Sequence, residues 1–163
     1  MKALSVVRIL FFLLAITASS SFSAAQTSYS VTDLGVLGTN GWSVARAINA
    51  TGEVTGAANT NGTLSEVFSY SNGTLTALGT LGGTSGIGNG INASGQIAGY
   101  SQNASKTYRA FLATNGVLTD IGDLGGGSAV GYAINDLGDV VGSGVTSDGS
   151  NHPFLYSLSL IHI

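Results

Sequence analysis

Five aspartates, Asp120, Asp123, Asp136, Asp139 and Asp148, crowd the last third of this 163-residue chain. A hard cation such as calcium needs roughly six to eight oxygen ligands, so a carboxylate cluster is where it would bind. Asp120, Asp123, Asp136 and Asp139 are therefore candidate metal ligands, and calcium is the one candidate cofactor. The corresponding places 43 residues earlier hold Ala77, Thr80, Ala93 and Gln96, so a solvated acidic surface is the competing reading. Nucleophilic catalysis has less to offer. There is no cysteine, histidine occurs only at 152 and 162, and no serine stands in a recognisable Ser–His–acid order. Leu78–Gly83 (LGTLGG) is glycine-rich but lacks the helix and the Lys-Ser/Thr that a phosphate loop requires. Trp42, with Tyr70, Tyr100, Tyr108, Tyr132 and Tyr156, could stack on sugars. Trp42 is the best candidate for an exposed binding aromatic, while the tyrosines fit cross-strand packing. No catalytic site is expected.

The elements that must position these residues repeat. Ile48-Asn49, Ile91-Asn92 and Ile134-Asn135 recur at 43-residue intervals, as do Gly52, Gly95 and Gly138 and also Phe68, Phe111 and Phe154. The first unit carries one extra residue, with Trp42 in the insertion. An Asn before a Gly-ended turn bonds nearby backbone and fixes the turn, and a single active site needs no three copies. These nine positions are thus expected to be structural.

Each unit divides into four short segments. In the second they are Leu75–Gly79, Ile87–Asn92, Gln96–Ser101 and Arg109–Ala113, separated by Gly-Gly, Ser-Gly and Asn-Gly turn signals. The expected fold is all-β, made of repeated four-stranded antiparallel units. Four strands in about 43 residues match one β-propeller-like blade. Three blades make an incomplete ring, and a β-trefoil is the alternative. The units run about 29–71, 72–114 and 115–157 within a single domain, 26–157. Residues 158–163 break the repeat and form a candidate non-native tail.

Composition bounds the rest. There are 25 glycines, one proline and only 8% charged residues, yet 44% are hydrophobic, enough to bury a core. Lys2 and Arg8, the apolar run Ile9–Ala18 and the small residues Ser23-Ala24-Ala25 predict a signal peptide over 1–25. That predicts secretion to the exterior or the cell surface. Beyond it, three basic residues face eight acidic ones, which argues against nucleic acid.

Ala110–Gly116 (AFLATNG), Val117–Gly126 (VLTDIGDLGG) and Ala133–Gly142 (AINDLGDVVG) together resemble the HAF repeat family of bacterial extracellular proteins. The name-giving triplet reads Glu66-Val67-Phe68, Arg109-Ala110-Phe111 and His152-Pro153-Phe154, with only the Phe constant. The resemblance implies an exported repeat protein without assigned enzymatic activity. The function expected is a binding or adhesion scaffold for an unknown protein or glycan partner outside the cell. The alternatives are a carbohydrate-binding module and a fragment of a larger extracellular enzyme. Open sheet edges at both ends would favour self-association.

Overall fold

The computed structural model describes residues 27–60 and 62–157. The segments 1–25 and 158–163, expected as signal peptide and non-native tail, lie outside the described residues. Every regular element among those described is a strand: β1 (Ser43–Ile48), β2 (Val54–Asn59), β3 (Ser65–Ser71), β4 (Thr74–Gly79), β5 (Gly82–Ile91), β6 (Ile97–Asn103), β7 (Tyr108–Thr114), β8 (Val117–Asp120), β9 (Gly125–Ile134), β10 (Val140–Thr146) and β11 (Asn151–Tyr156).

The strands form three antiparallel meanders. The first is β1-β2-β3-β4 and the second β5-β6-β7-β8; one parallel bridge, Ser65 to Ser85, joins them into an eight-stranded sheet. The third is β9-β10-β11. The first strand of each carries a β-bulge at the same repeat position, at Arg46, Asn89 and Tyr132.

The hydrogen-bonded meanders are offset by one strand from the sequence units. Asn72-Gly73 and Asn115-Gly116 have positive φ at both residues, the geometry of the tightest hairpin turn, so the strands flanking them must pair. The chain changes meander instead at the Leu-Gly element, where Gly79 and Gly82 take φ of +83° and +102°. Residues 27–42, which include the first segment of the first sequence unit, form no strand. β5 begins at Gly82, earlier than its apolar residues suggest. Gly83, which reads as a turn residue, lies instead inside β5 and serves close packing, because a Cβ there would stand 2.4 Å from the Gln102 Cβ on β6.

The core has two clusters. Val54, Ala58 and Phe68 pack with Leu34, Leu37, Tyr70 and Leu75. Ile97, Phe111 and Ala113 pack with Leu78, Leu81, Ile91 and Leu118, and Val67 of the first meander joins them. The repeated Phe thus anchors each unit, with Phe68 and Phe111 fully buried and Phe154 half-buried.

The β10–β11 turn holds Asp148, whose carboxylate accepts from the Thr146 hydroxyl and from the Ser150 amide. These bonds, the Thr146 hydroxyl first, hold its pKa below the usual 3.8. A depressed carboxylate stabilises the fold above its unfolded pKa and stops doing so as pH falls through the folded value. Asp148→Asn should therefore differ from wild type in urea midpoint at neutral pH, and the gap should close as pH drops below 3.8. A gap that is constant with pH would refute this.

Candidate binding site

The turns after β1, β5 and β9 are three versions of one device. In the second, Asn92 Oδ1 accepts from the Ser94 amide (3.1 Å), the Ser94 hydroxyl (2.9 Å) and the Gln96 amide (2.9 Å). Its Nδ2 donates to Gln96 Oε1 at 2.8 Å. Asn49 does the same with Thr51 and Glu53, and Asn135 with Leu137 and Asp139. An Asn suits this place because its amide accepts and donates at once, closing the turn from inside.

The turns are also tied to one another. Asn49 Nδ2 donates to the Asn92 carbonyl at 2.9 Å, and Asn92 Nδ2 to the Asn135 carbonyl at 3.0 Å. Each bond spans one repeat of 43 residues. The Ala93 amide donates to Asp136 Oδ1 (2.9 Å), and Asn89 Nδ2 to the Gly131 carbonyl (2.8 Å). A ladder of amide bonds therefore runs across all three meanders.

A polar groove of about 340 Å³ opens between the first two turns, lined by Thr51, Glu53, Ser71, Asn72, Ala93 and Ser94. Glu53 is its only carboxylate. Its Oε2 accepts from Asn49 Nδ2 at 2.7 Å and its Oε1 from the Ser71 hydroxyl at 3.2 Å, so the side chain is held rigidly. Gly95 packs over it, where a Cβ would stand 3.3 Å from Glu53 Oε2. The lining offers hydroxyls, an amide and an oriented carboxylate, the chemistry that reads polar, hydroxyl-rich or peptide-like ligands. Sequence reading did not single out Glu53 or Ser71. The available signal was that position 53, with its counterparts 96 and 139, always holds an acceptor side chain: Glu, Gln or Asp.

The candidate calcium ligands do not assemble. Arg109 takes Asp120 through Nε at 2.9 Å and Asp123 through Nη1, and also donates to the Gly127 carbonyl. Asp136 and Asp139 are engaged separately, in the Asn turns. The acids are thus divided between an arginine and backbone or amide donors. Among the described residues no three acidic or histidine side chains gather as a metal site would need. Trp42 is 46% exposed, immediately before β1, and is not part of the groove lining. Tyr100 and Tyr108 pack edge to face at 5.5 Å, while the Tyr132 hydroxyl meets that of Ser143. His152 is exposed. Asn49, Asn92 and Asn135, Gly52, Gly95 and Gly138, and the three Phe occupy equivalent places in the three units. Compared with known proteins, the chain matches no family model, no curated protein and no solved structure.

Proposed function

We propose that this is an exported repeat scaffold that binds a polar partner at the cell exterior through the groove between its Asn turns. The observation that carries the reading is the preorganised Glu53 carboxylate, fixed by Asn49 and Ser71 and flanked by Thr51 and Ser94 hydroxyls. Rigid donors and acceptors on a concave surface lose little entropy on binding. The signal-peptide pattern of residues 1–25 and the HAF-like repeat support export. Propeller-type blades are favoured over a trefoil, because each meander pairs its strands in chain order, as a blade does.

The hydroxyl-and-carboxylate lining favours a glycan among possible partners, which makes a carbohydrate-binding module the second reading. The test is capture by immobilised protein from a glycan array and from a panel of extracellular matrix proteins. Ser71→Trp should fill the groove and reduce binding at least about tenfold, the loss of roughly 1.4 kcal/mol, with the β circular dichroism spectrum kept. A ligand held equally by wild type and Ser71→Trp would place binding elsewhere. Hits confined to proteins would remove the carbohydrate reading.

A further inference from the structure

We infer that a second cavity, which shares Glu53 with the groove, holds a lysine side chain of a partner polypeptide, its stem on an apolar floor and its ammonium on the Glu53 carboxylate. The inference deepens the binding role proposed for the groove and rests on it. The cavity lies between the first and second meanders and measures about 180 Å³. Glu53, Ser71 and Ser94 line both this inner cavity and the outer groove, so the two spaces share the carboxylate as a wall.

The floor of the inner cavity is apolar. Tyr70 and Leu78 come from β3 and β4, and Ile91, Ile97 and Ala113 from β5, β6 and β7. Ile97 and Ala113 are each 2% exposed, so the cavity reaches the core. Ser69 joins the lining from β3, where Val67, Ser69 and Ser71 share one face. Val67 packs with Ile97 and Phe111, so that face is the one turned toward the second meander. An apolar cavity of about 150 Å³ takes a benzene ring. The inner cavity therefore has room for one side chain and not for a length of polymer.

The lining selects the ligand. Lysine carries a four-carbon stem, which buries favourably against Leu78, Ile91 and Ile97. A sugar ring would set hydroxyls against the same leucine and isoleucine carbons, at the cost of their hydrogen bonds to water. The head group must make a single bond to the carboxylate. Glu53 Oε2 already accepts from Asn49 Nδ2 at 2.7 Å and from the Thr51 hydroxyl at 3.4 Å, whereas Oε1 accepts only from the Ser71 hydroxyl, at 3.2 Å. One lone pair of Oε1 is left for a ligand. A guanidinium fork wants both oxygens, but an ammonium needs only one. The Ser71 and Ser94 hydroxyls donate to Glu53 and Asn92 and keep lone pairs for the other ammonium protons.

The charge of Glu53 is not a requirement of the turn. Gln96 accepts from Asn92 as Glu53 accepts from Asn49, so a neutral acceptor closes the turn as well. The bonding partners of Glu53 are all neutral, and the ion pairs among the described residues belong to Arg109. A half-buried carboxylate thus stands beside an apolar floor without a cation of its own, which a partner's ammonium supplies. Beyond residue 25 eight acidic residues outweigh three basic ones, a charge that attracts a basic partner. Gly95 and Gly116 leave the mouth clear, where a Cβ would stand 3.3 Å from Glu53 Oε2 and 3.7 Å from Leu78 Cδ2.

Nuclear magnetic resonance titration of the isotope-labelled protein with the peptide acetyl-Gly-Ser-Lys-Ser-Gly-amide tests the assignment. Saturable shifts are expected at the Ser69, Gly95 and Gly116 amides, and they should vanish when Nε-acetyl-lysine replaces the lysine. Glu53→Gln should weaken binding at least about tenfold, with the fold kept because Gln96 fills the same place in the next turn. Ser69 lines the inner cavity and not the outer groove, so Ser69→Leu should weaken binding as much, with the β circular dichroism spectrum unchanged. Equal binding of the arginine peptide, or tighter binding of a glucosamine disaccharide at the same amides, would overturn the inference. So would shifts confined to Thr51 and Asn72 and indifferent to Ser69→Leu, although the binding role of the groove would then stand. A peptide that shifts no amide overturns it too, and the capture experiment with Ser71→Trp then decides the role of the groove separately.

Discussion

Gly99→Ala is expected to destabilise the protein by about 3 kcal/mol or more, the cost of overpacking where backbone cannot yield. Gly99 sits in β6 at the end of the repeated Ile-Asn-x-x-Gly-x-Val/Ile-x-Gly pattern. A Cβ there would stand 2.0 Å from the Ile87 carbonyl oxygen and 2.9 Å from the Phe111 ring. Neither neighbour can retreat. The Ile87 carbonyl belongs to β5, which is paired with β6, and Phe111 is fully buried in the core. Gly56 and Gly142 reproduce the arrangement, 2.0 Å from the Val44 and Val130 carbonyls and against Phe68 and Phe154. The missing side chain is what lets the repeated Phe lie flat on the middle strand of each meander. Urea unfolding of Gly99→Ala against wild type measures the loss. Gly52→Ala is the informative contrast, because that glycine meets nothing within 4 Å and is held only by its φ of +84°. Its cost should be smaller, about 1 kcal/mol. Equal losses at the two sites would show that the close approach to Phe111 is not the cause.

Asn92→Ala should cost about 2–4 kcal/mol, more than an average surface substitution. Asn92 is only 3% exposed and makes five side-chain hydrogen bonds. Removing it leaves the Ser94 and Gln96 amides and the Asn135 carbonyl without these partners. Buried polar groups left unpaired account for most of such a loss. Asn92→Asp tests the direction of the bonds. An aspartate can still accept from the two amides but no longer donates, and its carboxylate would face Gln96 Oε1 and the Asn135 carbonyl. It should therefore recover little of the loss. Full recovery by aspartate would mean that the link to the third meander contributes nothing.

Much of this architecture was legible in the sequence, because the repeat multiplies a weak signal. The segments Leu75–Gly79, Gln96–Ser101 and Arg109–Ala113 lie on β4, β6 and β7 within a residue or two at most ends. The structural role expected for Asn49, Asn92 and Asn135 follows from local chemistry and is what their turn bonds show. What was not legible depends on contacts distant in sequence. The carboxylates of Asp120 and Asp123 suggest calcium until Arg109, eleven and fourteen residues away, is brought between them. Nothing local in the expected segment Ile87–Asn92 shows that Gly88 packs against Thr55, 33 residues earlier. The groove around Glu53 joins side chains from two successive units, so no single motif contains it. The division into sheets was offset for the same reason. Sequence alignment places unit borders at Asn-Gly, whereas pairing makes that turn the inside of a hairpin.

The amide ladder across all three meanders, with the core shared by the first two, makes them one cooperative body. Trp42, the single tryptophan, stands at the entry to the first meander, whereas far-ultraviolet circular dichroism reports strands in all three. Urea unfolding followed by both signals tests the claim most directly. Coincident transitions are expected for the wild type, and separated ones for the triple variant Asn89→Ala, Asn92→Ala, Asp136→Ala, which removes the three ladder bonds between the second and third meanders. A wild-type chain whose Trp42 transition parts from its circular dichroism transition would contradict it.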